Sequence, residues 1–273
     1  MTAVQGSILG NAVLRREDPT LLRGADEYFD DMKVDGVGYV HFVRSTVAHA
    51  TINSIETEDA EAIPGVVGVY TADNLEVNPH LGFPLFPPVF AMSLPAKGKV
   101  RLVGDIIAIV VAETRTAAAD AAEAVWMDFD PLPAVTDPEA AMADGAPLLF
   151  EEHGSNVCFE TGVGLEDGDP LEGADHVAEV RIESQRLAAV PIEPNGAVAI
   201  PDGDDLTVWV PSQNPIATRD ALAGALGLEP ANLRVAAPAV GGGFGPKSGA
   251  YPEMILTCHL ARQLGRPLKW TEL

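Results

Sequence analysis

Basic residues are scarce. The sequence sets 17 lysines and arginines against 40 aspartates and glutamates, a net charge of −23 at neutral pH. That balance reverses the non-specific attraction to nucleic acid and to anionic membrane surfaces, and so argues against both as partners. Cysteine is nearly absent. Cys158 and Cys258 stand far apart with no C-x-x-C spacing, which argues against an iron–sulfur cluster or zinc ribbon within this chain and fits a reducing compartment. Histidine occurs six times without H-x-H or H-E-x-x-H spacing, so no protein-ligated metal is expected. No G-x-S-x-G nucleophile elbow is present. The longest apolar run, residues 106–112, is too short to cross a bilayer. Residues 1–10 lack a basic segment leading into an apolar one, and Arg15-Arg16 is followed by Glu17-Asp18-Pro19, so no export signal is read. A soluble, cytoplasmic protein is the expectation.

What is present supports real cores. Hydrophobic residues make up 47% of 273 positions, a length suited to about two domains. Residues 1–19 read as an extended N-terminal arm that runs on, with turns at Asp18-Pro19 and Arg23-Gly24, to about residue 31. Strands are expected over residues 39–44, 51–55 and 66–70 from β propensity and alternation, with a short helix at 59–63 stopped by Pro64-Gly65. Residues 106–111 read as a fully buried strand, and 114–125 as a helix capped by Thr114. A strand at 126–129 closes an α+β unit over residues 20–135. The proline-rich stretch 78–95 is expected to lie over another surface.

An acidic, Gly/Pro-bearing connector is read over residues 136–175, and a β-rich second unit over 176–273. Within it, strands are expected at 177–183, 196–200 and 206–210, with Asp202-Gly203 as a hairpin turn. A helix at 216–226 ends at Gly227, a strand at 233–237 follows, and a helix at 251–264 comes next. Residues 268–271 read as a strand just beginning a new unit.

The second unit is organised around Val240-Gly241-Gly242-Gly243-Phe244-Gly245-Pro246-Lys247, set between a strand and a helix. Consecutive glycines lose much conformational entropy on ordering, so they mark unusual φ/ψ or a close approach, and bare N–H groups at such a turn bind anions. A glycine-rich turn without a ligand is the competing reading. The phosphate-loop and dinucleotide patterns both fail, because Pro246 stands where a glycine N–H is needed. Gln213 also follows a β-run and precedes a helix, where a side chain reaches a crevice at strand ends. Capping that helix suits Ser212 or Asn214 better. Glu193-Pro194 and Glu151-Glu152 read as solvated or turn-bonded carboxylates.

Together these motifs resemble the molybdenum hydroxylase family of carbon monoxide dehydrogenase, aldehyde oxidase and xanthine dehydrogenase. The chain is similar to the N-terminal portion of the molybdopterin-binding large subunit. Arg16-Glu17-Asp18-Pro19, Leu22-Arg23-Gly24 and Tyr28 resemble the opening arm. Val43-Arg44-Ser45, Val103-Gly104-Asp105 and Leu132-Pro133-Ala134-Val135 resemble the α/β hammerhead domain, and Pro191-Ile192-Glu193-Pro194, Ser212-Gln213 and the glycine loop resemble the first part of the molybdopterin-binding α+β domain. Ala239 and Ser248 depart from the family; at the latter position purine-oxidising members carry a glutamate.

The resemblance implies that Gln213 hydrogen-bonds an oxo group of the molybdenum centre. It implies too that Phe244 and Gly245 sit beside the metal while Gly242 and Gly243 let the chain approach, the metal being held by the pterin dithiolene. It implies the cytosine dinucleotide form of molybdopterin, an iron–sulfur small subunit, an FAD-binding medium subunit, and a C-terminal portion of the large subunit carrying the general base. No catalytic residue is assigned within this chain; were the isolated chain to carry molybdenum and oxidise substrate, the group would be sought among Glu193, Glu253 and His259. A non-catalytic remnant or interaction module of the same fold is the alternative.

Overall fold

The computed structural model describes residues 9–10, 12–83, 85–162, 168–169 and 171–273. The first part opens with a one-turn helix, α1 (Asp18–Leu21), and continues through β1 (Gly38–Arg44), β2 (Ala50–Glu56), α2 (Glu58–Glu61) and β3 (Val66–Tyr70). After the proline-rich stretch come β4 (Lys99–Val100), β5 (Ile106–Ala112), α3 (Arg115–Glu123) and β6 (Trp126–Pro131). Thr114 caps α3 as expected, its side chain accepting from the Ala117 N–H.

A third one-turn helix, α4 (Pro138–Ala141), lies in the connector. Then follow β7 (Gly196–Asp202), β8 (Asp205–Trp209), α5 (Pro215–Leu226), β9 (Leu233–Ala236), α6 (Pro252–Leu264) and β10 (Leu268–Thr271). Gly227 and Gly265 end α5 and α6 in the left-handed region, at φ of 63° and 61°, where a side chain would be strained. Among the described residues no helix is long and apolar enough to cross a membrane.

The strands form a seven-stranded sheet in the order β3-β5-β1-β10-β7-β8-β9 and a three-stranded sheet in the order β4-β2-β6. Strand β10 was expected to begin a new unit. Instead it lies mid-sheet, parallel to β1 through Gly38 and Leu268 and antiparallel to β7 through Leu268 and Ala199. The last strand of the chain therefore joins the two halves into one sheet. The packing explains why β5 is a continuous apolar run. Ile109 and Val111 join the core of α5 and α6, whereas Ala108, Val110 and Ala112 join the core of α2 and α3. A strand covered on both faces has no polar side to show.

Two further expectations are corrected. Residues 177–183 alternate like a half-buried strand, yet they are exposed and belong to no strand, and the strands of the second part begin at Gly196. Alternation marks two faces but cannot supply the neighbouring strand that a ladder needs. The arm, read as extended as far as residue 31, instead turns through α1 and a 3-10 turn over Phe29–Asp31, and it is anchored at its end. Phe29 is fully buried against Gly196, and the Lys269 ammonium donates to the carbonyls of Asp30 (2.6 Å) and Met32 (3.3 Å).

The proline-rich stretch does lie over another surface. Phe90 packs edge-on against Phe150 and His153 at centroid distances of 4.9 and 4.6 Å. Between this stretch and the glycine loop lies a cavity of about 650 Å³, walled by Phe86, Phe90, Met92, Phe150 and Tyr251 and bordered by Gly245-Pro246.

Candidate functional site

Strands β8 and β9 run parallel, Leu206 opposite Leu233 and Trp209 opposite Ala236. Both chains leave the sheet at the same edge, so the turns that follow are neighbours. The first turn carries Gln213. Its Ser212 hydroxyl lies 2.9 Å from that of Thr218 and accepts the Asn214 N–H, and the Asn214 side chain caps α5 by accepting from the Ala217 N–H at 3.1 Å. With Asn214 as the cap, Gln213 is left for something else.

The Gln213 side chain reaches the second turn, where its Oε1 accepts the Gly245 N–H at 2.9 Å. Its own backbone N–H donates to the Lys247 carbonyl at 2.7 Å. The amide orientation follows from this contact, because an N–H can be answered only by the oxygen. The two Nε2 hydrogens remain available to an acceptor outside the chain. Gly243 is where the turns touch: a Cβ there would lie 2.4 Å from Gln213 Cδ, so any side chain at this position would displace the glutamine. Gly242 and Gly245 take φ of 103° and 102°. Phe244 adopts φ of 52°, uncommon for a residue with a side chain, and its ring is largely exposed.

The loop is pinned at its ends and open in its middle. The Gly241 N–H donates to Glu193 Oε2 at 2.7 Å, the Ser248 hydroxyl donates to the Gly245 carbonyl, and the Tyr251 hydroxyl donates to the Pro246 carbonyl. The N–H groups of Gly242, Gly243 and Phe244 have no hydrogen-bond acceptor among the described residues. Successive backbone donors without acceptors, on a chain that passes through positive φ at Gly242 and Phe244, are groups of the kind an anion can engage.

Glu193 was read as a solvated or turn-bonded carboxylate; it is instead buried and paired. Lys247 Nζ donates to Glu193 Oε2 and to the Glu193 carbonyl, each at 2.9 Å, and Glu193 Oε1 is buried without a partner. Nothing local in the sequence marks this pair, because its members approach only once β9 and the segment before β7 are folded. Lys247 therefore presents no free positive charge to a ligand. Glu253 is likewise engaged, with Arg44 at 2.7 Å, and burial lowers the pKa of His259 on α6. At the cavity, burial lowers the pKa of His80 and raises that of Tyr251, so both are uncharged near neutral pH.

No group of three or more His, Cys, Asp or Glu side chains among the described residues could hold a metal ion directly. The donors that converge are a neutral amide and backbone N–H groups, with no side-chain bulk between Gly241 and Phe244. Such a set suits an anionic group that brings its own metal ligands, and the residues present fit a pterin-held molybdenum centre.

Comparison with known proteins agrees with that chemistry. Residues 149–273 match the family model of the molybdopterin cofactor-binding domain, and residues 23–133 that of the aldehyde oxidase and xanthine dehydrogenase a/b hammerhead domain. The chain is 35% identical to the nicotine 6-hydroxylase large subunit of Paenarthrobacter nicotinovorans, over 97% of its own length and 33% of that protein's. It is 37% identical to the carbon monoxide dehydrogenase large chain of Afipia carboxidovorans, over 94% of its length and 34% of that chain's. The crystal structure of quinoline 2-oxidoreductase from Pseudomonas putida 86 superposes with a TM-score of 0.87 at 35% identity, covering 97% of this chain and 34% of that one. The chain thus spans about a third of the length of these relatives.

Proposed function

Because the chain belongs to the molybdenum hydroxylase family, we propose that it supplies one wall of a molybdopterin site in the large subunit of a molybdenum-dependent oxidoreductase. One observation carries this reading: the Gln213 side chain meets the Gly245 N–H across adjacent parallel strand ends. In this reading the chain divides into an N-terminal arm (1–19), a hammerhead part (20–135), a connector (136–175) and the first part of the cofactor-binding region (176–273).

Gln213, Gly242, Gly243, Phe244 and Gly245 would hold the cofactor, in its cytosine dinucleotide form. When bound, it supplies a molybdenum centre that oxidises an aldehyde, a heterocycle or carbon monoxide, with water as the oxygen source. The chain's own part is electrostatic and steric. The Nε2 hydrogens of Gln213 donate to an oxygen acceptor without adding charge, and the amide is held in that orientation by the Gly245 N–H. The N–H groups of Gly242, Gly243 and Phe244 offer fixed dipoles to negative charge, which cost no reorganisation when a ligand arrives. Gly243 keeps the two turns in contact, and the Phe244 ring would stand beside the bound centre.

No proton acceptor is assigned to this chain, since Glu193 and Glu253 are both occupied by cations. A general base must stand within about 3 Å of the proton it takes. That group, and electron transfer through an iron–sulfur small subunit and an FAD-binding medium subunit, are assigned to the rest of a cytoplasmic complex.

The purified chain by itself is expected to carry little or no molybdenum and to oxidise none of these substrates with an artificial electron acceptor. Its charge of −23 opposes an anionic cofactor gripped from one side only. Co-expression with the remaining portion of the large subunit should restore molybdenum, measured as metal per polypeptide. Stoichiometric molybdenum and turnover in the chain alone would refute the assignment.

A further inference from the structure

We propose that Lys247 and Glu193 act as a positioning pair, setting the geometry of the glycine loop rather than adding to the stability of the fold. The inference rests on the cofactor reading only in that the loop is taken to face a ligand. The Lys247 side chain is 1% exposed and that of Glu193 7%, at an N–O distance of 2.9 Å. Burying two charges costs several kcal/mol in desolvation, and well-packed apolar side chains would often serve stability equally well. This pair is incompletely satisfied as well. Glu193 Oε2 receives both the ammonium and the Gly241 N–H, while Oε1 is buried with no donor. An orphan acceptor of that kind is itself destabilising. A contact so expensive is poorly explained by stability.

Its connections explain it better. Glu193 holds the entrance to the loop at Gly241 by the carboxylate bond and by a 3.3 Å backbone bond from its own N–H to the Gly241 carbonyl. A Cβ on Gly241 would come within 2.5 Å of Glu193 Cβ, so the approach is as close as backbone allows. Lys247 holds the exit, because its carbonyl receives the Gln213 N–H and Gln213 in turn receives the Gly245 N–H. One charge pair thereby ties together the entrance, the exit and the amide of the neighbouring turn. The three unpaired N–H groups lie between the tied ends. Neither ionic side chain touches the ligand space; both act through the backbone they hold.

The test uses the whole chain carrying Lys247→Met, or Glu193→Gln with Lys247→Met, and reads amide hydrogen exchange at Gly245 beside the melting temperature. The single variant leaves a carboxylate buried alone and should lower the melting temperature, whereas the double variant should recover most of that loss. In both, exchange at Gly245 should quicken about tenfold or more while amides of β7, β8 and β9 stay protected, as local opening predicts. Should the single variant not fold, the double variant decides the matter. Unchanged exchange at Gly245 in a folded double variant would overturn the positioning role. Molybdenum missing from a completed wild-type subunit would instead sink the cofactor reading and leave this role standing.

Discussion

The turns after β8 and β9 leave the same sheet edge, and each leads into a long helix, but they treat their polar groups in opposite ways. The first satisfies most of its groups locally: Asn214 caps α5, Ser212 bonds Thr218 and the Asn214 N–H, and Gln213 looks across to the second turn. The second is tied only at its ends and leaves the N–H groups of Gly242, Gly243 and Phe244 without acceptors. A turn that satisfies its own donors can serve the fold alone. One that holds donors open is maintained by other parts of the structure, here Glu193, Lys247 and Gln213. The contrast separates residues whose loss should unfold a helix end from residues whose loss should empty a site.

The largest expected effect is at the point where the turns touch. Gly243→Ala puts a Cβ 2.4 Å from Gln213 Cδ, and the exposed glutamine side chain must swing away. Molybdenum content of the completed subunit should fall about tenfold or more, the scale on which orienting residues act around metal centres. The melting temperature should hardly move; a large drop with metal retained would erase the distinction between the turns.

Next is the first turn's own cap. Asn214→Ala removes the bond to the Ala217 N–H and should lower stability by about 1 kcal/mol in urea denaturation. Metal content should be preserved, since no donor of the second turn depends on Asn214. Loss of molybdenum without loss of stability would show that the first turn also serves the ligand.

Gln213→Ala is expected to lower stability by less, about 0.5 kcal/mol, since an exposed hydrogen bond contributes little net. Metal content should nonetheless fall by several-fold. A variant that binds metal like the wild type would exclude Gln213 from the site.

The smallest effect at neutral pH, one that grows only in alkali, lies in the helix after the second turn. Cys258 on α6 is fully buried, and burial pushes its thiol up to about 12. In the unfolded chain the thiol ionises near 9, so above that pH the unfolded state sheds a proton that the folded state keeps. Stability should therefore be level below about pH 9 and decline as pH rises toward 12, by at most about 1.4 kcal/mol per pH unit from this group. Cys258→Ala should remove that component of the slope. A slope unchanged by the substitution would place its origin elsewhere.

Much of the fold was legible because local signals agreed with packing. Thr114 announced α3, Gly227 closed α5, and the apolar run at 106–112 is covered on both faces. The meeting of Gln213 with the glycine loop was also foreseeable, because a strand–turn–helix pattern repeated in parallel strands brings turns to one edge. Residues 177–183 misled, since alternation reports a preference for two faces and says nothing of a partner strand. Glu193 and Lys247 were illegible: a lone lysine beside glycines and a glutamate before proline have no shared local pattern.

What the sequence by itself determined were the properties carried by neighbouring residues. These are caps, glycine stops, the apolar strand, and a loop that needs positive φ and bare backbone. Tertiary structure decided what depends on distant parts meeting. It placed β10 between β1 and β7, seated Phe29 against Gly196, and joined Glu193 to Lys247. The physical reason is range. Backbone sterics and capping act over a turn or two of chain, whereas strand pairing and buried charge pairs depend on spatial neighbours that only the completed packing supplies.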